Sequence, residues 1–249
     1  MARSYPDWLN GFPVGFRNDV MEAIKASDHS RIVAVDADGT LWRHDLGEHF
    51  LQWLCGMVDG GPDPAILPPS VWKDYLKLLK KDRGNAYGFA VQAMGGIEFA
   101  DLVTWMDYVA GTWRFYKPKM AGLLNGLREE GGMKVFIVTA SNAWIIRRGM
   151  LYLDAEVDGV FGIETEMDEI PGVGLVLSDR LVQPVVCNQG KVDVLEKFVG
   201  PPAIAIGDSL GDREMLEAAR WRLVVGHSGE KENEMMKLAK ASGWNHHLF

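Results

Sequence analysis

The sequence is poor in cysteine and has no long apolar run. Only Cys55 and Cys187 occur among 249 residues, and a single pair gives no spacing typical of a disulfide framework or a metal site. We expect two reduced thiols buried in apolar surroundings. No stretch of about 18 apolar residues is present, so no membrane span is predicted. Since the N-terminus also lacks the apolar run of a signal peptide, a soluble, cytoplasmic protein is expected.

Basic residues are also in the minority. The chain has 34 acidic and 26 basic residues, for a formal net charge of −8. This balance disfavours a nucleic-acid-binding surface, which requires clustered Lys and Arg. The cluster Lys73, Lys77, Lys80 and Lys81 is typical of a solvated helix face. A small phosphorylated substrate stays compatible, because a bound cation can make one site locally positive. The sequence predicts no particular oligomeric state.

Four short apolar runs predict buried strands at 31–35, 134–138, 203–206 and 222–225. Helical patterns follow the last three runs, over 142–153, 210–219 and 229–241. This alternation is typical of a parallel α/β sheet. Ligands bind at the carboxyl ends of the strands in such sheets. Asp36, Thr139 and Asp208 each follow a predicted strand, so we expect them to meet at one edge.

Two regions interrupt the alternation. Residues 45–116 contain helical patterns near 46–57, 70–82, 86–94 and 97–112, and no comparable strand-like run. We therefore predict an α/β core formed by 1–44 and 117–249, with 45–116 as a smaller helical domain. Residues 157–186 alternate around turn residues, which predicts a hairpin or an extended excursion.

The segment Asp36-Ala37-Asp38-Gly39-Thr40-Leu41 places two carboxylates close together directly after a buried strand. Like charges at short distance raise each other's pKa unless a cation lies between them. Mg²⁺ takes oxygen ligands and is usually held by one or two carboxylates and a substrate phosphate. One carboxylate could then attack phosphorus while the other serves as acid and base. The alternative is a simple turn after a strand.

This segment resembles motif I of the haloacid dehalogenase-like (HAD) superfamily. The remaining motifs of that family are matched in order by Thr139 in VFIVTAS, by Lys191 in NQGKVDVL and by GDSLGD at 207–212. The resemblance spans residues 31 to about 215. It implies a Rossmann-like parallel sheet with a helical cap, here 45–116, inserted after motif I.

The resemblance also implies roles for the acidic residues. Asp36 would be the nucleophile, and Asp38 the general acid and base. Asp36, Asp208 and the backbone carbonyl of Asp38 would hold Mg²⁺ as cofactor. Asp212 would support these ligands or add one more. Asp212 could instead be a first-turn acid of the following helix.

Three further residues of the motifs have a role by resemblance and an alternative. Thr139 would donate a hydrogen bond to a phosphoryl oxygen, and Ser141 could contact the substrate. Both hydroxyls could instead cap the helix that begins near Asn142. Lys191 would neutralise the phosphoryl group and keep Asp36 ionised, unless it is a solvated lysine at a helix start.

The residues after motif I bear on the substrate. Asp45 matches by spacing an acid that contacts the substrate's ammonium group in phosphoserine phosphatases, and Glu48 follows one helical turn later. The strings DADGTLWRHDLGE and IVTAS are also similar to those of phosphocholine or phosphoethanolamine phosphatases. With Trp42, these acids could form a site for a cationic group. Alternatively, Asp45 and Glu48 begin a helix, and the tryptophans pack helices together.

The sequence therefore predicts a Mg²⁺-dependent phosphatase that acts on a small-molecule phosphomonoester. The leaving group of this ester could carry an amino or ammonium group. Asp38 favours phosphate esters over carbon–halogen bonds, because a halide leaving group needs no proton. Two alternatives stay open: a phosphomutase or phosphotransferase of the same superfamily, and a catalytically silent binding protein with this fold.

Overall fold

The computed structural model describes residues 5–27, 29–63, 65–229 and 232–248. Eight strands are present in this part of the chain: β1 (Ile32–Val35), β2 (Lys134–Asn142), β3 (Gly159–Ile163), β4 (Thr165–Ile170), β5 (Gly174–Leu181), β6 (Ile204–Gly207), β7 (Trp221–Gly226) and β8 (Asn245–Leu248). Six of them form one parallel sheet in the order β3-β2-β1-β6-β7-β8. The predicted α/β class and parallel sheet are confirmed.

Strand β1 lies at the centre of this sheet. It pairs with β2 on one side, through Ile32 and Lys134, and with β6 on the other, through Val33 and Ile204. Its residues 33–35 are completely buried, as expected for an apolar strand covered on both faces. Because the three neighbouring strands run in parallel, the loops that follow them lie at one edge of the sheet.

Ten α-helices accompany the sheet in the described ranges: α1 (Val14–Lys25), α2 (Leu46–Leu54), α3 (Pro69–Leu79), α4 (Arg83–Gln92), α5 (Phe99–Thr112), α6 (Pro118–Glu129), α7 (Ala143–Leu153), α8 (Gln189–Phe198), α9 (Arg213–Ala218) and α10 (Glu234–Ser242). Short 3-10 turns occur at Asp7–Leu9 and Leu210–Asp212. The last helix begins at Glu234 rather than at 229, and residues 230 and 231 of that prediction lie outside the described ranges. None of these described helices is both long and apolar enough to cross a membrane.

The region 45–116 contains α2 to α5 and no named strand among its described residues. The hairpin predicted within 157–186 is confirmed for β4 and β5, which pair antiparallel in a separate two-stranded sheet. The first part of that range instead forms β3 of the main sheet. Strand β5 joins the helical region through backbone hydrogen bonds from Gly96 N to Leu177 O (2.8 Å) and from Leu177 N to Ile97 O (3.0 Å). The hairpin therefore extends the helical region.

The two chain segments that enter and leave the helical region lie side by side. Arg43 N donates to Phe115 O (3.0 Å), and Lys117 N donates to Leu41 O (3.3 Å). One apolar cluster continues from the sheet into helices α2 and α5. This packing holds the helical region close to the loop that follows β1.

Candidate active site

A cavity of about 560 Å³ lies at the carboxyl edge of the sheet. The loops after β1 and β6 contribute Asp36 and Asp208 to its wall, strand β2 contributes Thr139, and helix α8 contributes Lys191. The structure therefore brings together residues from four separate stretches of sequence, at the edge where the strand pattern placed the first three.

Lys191 is buried between two carboxylates. Its Nζ lies 2.7 Å from Asp36 Oδ1 and 2.5 Å from Asp212 Oδ1, and only 2% of the side chain is exposed. Burial lowers the pKa of this ammonium group, but Asp212 and Asp36 outweigh burial and raise the pKa above its usual value. Lys191 is therefore charged, and the alternative of a solvated lysine is wrong.

Asp36 is held from several directions. Its backbone N donates to Ile206 O at 2.9 Å, which ties the end of β1 to β6. The hydroxyl of Thr40 lies 3.3 Å from Oδ2. Burial and the charge of Asp212 raise the pKa of Asp36 to about 7, although Lys191 acts in the opposite direction. Additional positive charge at this site would therefore favour the ionised, nucleophilic form.

Asp36, Asp208 and Asp212 form a carboxylate cluster, with one oxygen from each within 4.8 Å of the others. Asp212 accepts from Lys191 through Oδ1, and through Oδ2 from the backbone N of Asp208 (3.2 Å) and Ser209 (3.0 Å). It also completes a capping box at the turn 210–212. Asp212 therefore has both roles: it is an acid at a helix start, and it is a member of the carboxylate cluster. Burial and Asp36 raise the pKa of Asp208 well above its usual range.

The cluster fits a divalent cation by its donor set. Three carboxylates face one lysine, and oxygen ligands are those that Mg²⁺ prefers. Gly39 keeps the space beside the cluster free: its φ is +81°, and a Cβ there would lie 2.7 Å from Cγ of Asp208. The resemblance implied only a supporting or additional role for Asp212, but the structure makes it one of the three members of the cluster. The side chain of Asp38 is not a member.

The side chain of Asp38 is fixed by three donors. Oδ1 accepts from Trp42 Nε1 (2.7 Å) and Leu46 N (2.8 Å), and Oδ2 accepts from Ser141 Oγ (2.5 Å). Burial raises its pKa even though these hydrogen bonds act to lower it. A carboxyl group that is fixed in place and holds its proton more strongly than usual is suited to general acid chemistry.

The structure contradicts two expectations for residues close to Asp38: a substrate contact by Trp42, and helix capping by Thr139 or Ser141. Trp42 is fully buried and is not part of the cavity wall; it packs edge-on against Tyr116 and orients Asp38, so a direct contact with substrate is wrong. Helix α7 is capped by the side chain of Asn142, which accepts from Trp144 N and Ile145 N. Thr139 and Ser141 therefore do not cap that helix, and both line the cavity.

Asp45 and Glu48 serve both as helix-start residues and as part of the cavity region. Asp45 caps α2 by accepting from Glu48 N at 2.7 Å, and Glu48 lies in the first turn. A small recess of about 20 Å³ lies beside the cavity, and Asp45, Tyr87 and Ser141 line both spaces. Glu48 also lines this recess and accepts from Tyr75 OH at 2.5 Å. Burial, Asp38 and Glu48 raise the pKa of Asp45 well above its usual range.

Several residues of the site have no signal in the sequence. Arg83 and Tyr87 of α4 line the cavity from the helical side. Lys117 donates to the carbonyls of Gly39 and Thr40, each at 2.9 Å, and so fixes the motif I turn. Both cysteines are free; Cys55 is buried as expected, but Cys187 is half-buried and lines the cavity. Only their positions in space distinguish these residues from ordinary surface or packing residues.

Comparisons with known proteins agree with this geometry. A family model described as haloacid dehalogenase-like hydrolase matches residues 33–217. Solved structures with a similar fold include a protein with unknown function from Bordetella pertussis Tohama I, which is 16% identical with a TM-score of 0.69, and the match covers 87% of this chain and 98% of that one. A HAD family hydrolase from Salmonella enterica subsp. enterica serovar Typhi is 18% identical, with a TM-score of 0.59 and coverage of 88% and 66%.

A substrate-bound phosphoserine phosphatase is 14% identical, with a TM-score of 0.52 and coverage of 80% of this chain and 87% of that one. No curated protein sequence gives a significant match. At these identities the structural likeness shows the fold. The family model spans most of the chain and includes all four motifs. The chain therefore belongs to the haloacid dehalogenase-like hydrolase family.

Proposed function

We propose that this protein is a Mg²⁺-dependent phosphatase that hydrolyses a small-molecule phosphomonoester through a phosphoryl group carried on Asp36. The observation that carries the proposal is the buried arrangement of Asp36, Lys191 and Asp212, in which Asp36 and Lys191 line the cavity and Asp212 lies behind them. Phosphoryl transfer requires chiefly positioning and positive charge around the transferred oxygens. Lys191 supplies one such charge next to the nucleophile.

The reaction would proceed in two balanced steps. In the first, a carboxylate oxygen of Asp36 forms a bond to phosphorus, the ester P–O bond breaks, and Asp38 gives its proton to the leaving oxygen. In the second, Asp38 takes a proton from water, the water oxygen bonds to phosphorus, and the P–O bond to Asp36 breaks. The fixed geometry of Asp38, held by Ser141 and Trp42, supports this double role.

Asp36, Asp208 and the backbone carbonyl of Asp38 would hold Mg²⁺, with Asp212 beside them. When bound, the cation supplies positive charge that offsets the carboxylates and the phosphoryl oxygens. Thr139 lies at the same wall of the cavity and would donate to a phosphoryl oxygen. Lys191 would hold both Asp36 and the phosphoryl group.

We also propose that the helical region 45–116 is a cap over the core formed by 1–44 and 117–249. Arg83, Tyr87 and Asp45 reach the cavity from this region. A cap that excludes water would strengthen the charge interactions beneath it.

The substrate would carry an amino or ammonium group on its leaving part. Asp45 and Glu48 place two acidic side chains at the recess, and Tyr75 and Tyr87 add aromatic surface. Acidic and aromatic groups together suit a cation. The presence of a phosphoserine phosphatase among the structures with this fold is consistent with such a substrate.

The deciding experiment is inorganic phosphate release from a panel of phosphomonoesters, with Mg²⁺ and with a chelator. We expect phosphate release that depends on Mg²⁺ and is fastest for amino-bearing esters such as phosphoserine, phosphoethanolamine or phosphocholine. Transfer to a second hydroxyl compound without phosphate release would favour a phosphotransferase. Equal rates for cationic and neutral esters would contradict the amino-binding site, and no turnover of any ester would contradict the phosphatase.

A further inference from the structure

Asn188, three positions before Lys191, has a backbone conformation that a side chain disfavours. Its φ is 47° and its ψ is −120°. Gly190 N donates to Cys187 O at 2.8 Å, so residues 187–190 form a tight turn with Asn188 in the first central position. That position of a turn with this geometry normally requires glycine. Asn tolerates the left-handed helical region, but a ψ of −120° lies outside it.

The turn is fixed by its surroundings. Gly190 packs so closely against Val185 O that a Cβ at position 190 would overlap that carbonyl oxygen. Lys191 N donates to Asn188 O at 3.0 Å, which places the lysine at the start of α8. A strained residue persists where its neighbours determine its conformation, and such residues cluster at functional sites.

The usual structural reasons for an asparagine here are missing. Asn188 occupies the N-cap position of α8, yet its side chain accepts no capping hydrogen bond. Within the described residues, its carboxamide has no other hydrogen-bond partner either. The side chain is exposed and lines the same cavity as Lys191. Its Oδ1 points toward the loop after β6, 4.0 Å from the position that a Cβ on Gly211 would take.

We infer that Asn188 is a substrate-contacting residue, whose carboxamide donates a hydrogen bond to a phosphoryl oxygen of the bound ester. This inference rests on the proposed phosphatase function of the same cavity. Asp36 and Asp208 line the same cavity. A neutral amide can donate to an anionic oxygen there, whereas an acidic side chain at this position would add to the negative charge and offer no donor.

Two substitutions separate the carboxamide from the backbone strain. Asn188→Gly removes both the amide and the strain, whereas Asn188→Ala removes the amide and keeps a Cβ at the same φ. Both should weaken binding of inorganic phosphate, measured by calorimetry with saturating Mg²⁺, by about ten-fold, the range of one hydrogen bond to a charged group. Only Asn188→Gly should also raise Tm, by about 2–4 °C.

A matched control is available at Asp154, another residue with positive φ (59°), which ends α7 outside the cavity. Asp154→Gly should change Tm without changing the affinity for phosphate. Wild-type affinity in both Asn188 variants would overturn the inference, as would a Tm of Asn188→Gly no higher than that of Asn188→Ala. If the wild type binds phosphate through Asn188 but releases none from any ester, the phosphatase proposal fails while the Asn188 contact stands.

Discussion

The Nζ of Lys191 lies 2.7 Å from Oδ1 of Asp36, although 155 positions separate the two residues in the chain. Both side chains are buried, and Lys191 also contacts Asp212. A buried charge is costly unless it is paired and hydrogen-bonded. Folding therefore places the ammonium group of Lys191 between two carboxylates that offset its charge, and this arrangement ties stability and chemistry to the same three residues.

Substitution of Lys191 should affect both properties. Lys191→Met leaves Asp36 and Asp212 without their shared cation, so we expect a loss of about 3–5 kcal/mol in the free energy of unfolding at pH 8. The rate of phosphate release should fall at least about 100-fold. Urea unfolding and phosphate release measure the two effects. The control is Lys237→Met, which removes an exposed lysine paired with Glu234 and should leave both quantities near wild type.

The pH dependence of stability follows from Asp36. Its pKa is raised from 3.8 to about 7, so the folded protein holds this proton more tightly than the unfolded chain. The stabilisation that this proton gives to the folded state is complete below about pH 3.8, and it is lost as the pH rises toward 7. The advantage in Tm of Asp36→Asn over the wild type, both without metal, should therefore increase between pH 4 and pH 8.

Mg²⁺ competes with that proton, so the gain in wild-type Tm on adding Mg²⁺ should be larger at pH 8 than at pH 5. Thermal unfolding between pH 4 and pH 8, with chelator or with Mg²⁺, tests both the Tm difference between the two proteins and the Tm gain from Mg²⁺. A difference between wild type and Asp36→Asn that stays constant with pH would show that Asp36 does not titrate as described.

Gly39 offers a test of the space beside the carboxylate cluster. Gly39→Ala places a Cβ against Asp208 at a φ of +81°, so we expect it to displace Asp208 and raise the Mg²⁺ concentration needed for half-maximal activity at least about ten-fold. Gly96→Ala is the matched control, because Gly96 has a φ of +86° with nothing within 4 Å of the added Cβ. Equal effects of the two substitutions would assign the change to backbone strain alone.

Asp45 allows charge and capping to be separated. Asp45→Asn keeps an excellent N-cap for α2 but removes the ionisable carboxyl group that could pair with a bound ammonium group beside the recess. We expect KM for amino-bearing esters to rise about ten-fold, with little change for neutral esters or in Tm. Steady-state kinetics with phosphoethanolamine and with a neutral alkyl phosphate make the comparison. A uniform change for both substrates would argue against contact between Asp45 and an ammonium group.

Much of the core was predictable because its physical causes are local. The strand runs at 31–35, 134–138, 203–206 and 222–225 are continuous and β-branched, and each coincides with an observed strand. The predicted edge of the sheet followed from their parallel order. Strands β3 and β8 were missed, because GVFGI and NHHL lie at the two edges of the sheet and carry glycine or histidine in place of a continuous apolar run.

The contacts of the site side chains were not predictable in the same way. The sequence placed Asp38 and Trp42 near each other, but not with the indole donating to the carboxylate. The approach of Lys117 to Gly39 and Thr40 depends on how the chain returns from the helical region. Such contacts arise from packing between distant segments, and no local pattern encodes them.

The central claim is that Asp36 carries the phosphoryl group. It is tested most directly by mixing the protein with Mg²⁺ and a substrate ester, quenching rapidly in acid and mapping the modified peptide by mass spectrometry. We predict a transient phosphoryl group on the peptide that contains Asp36, which disappears on the timescale of turnover and is absent in Asp36→Asn. Turnover with no phosphorylated peptide, or with an Asp36→Asn variant as fast as the wild type, would contradict the account.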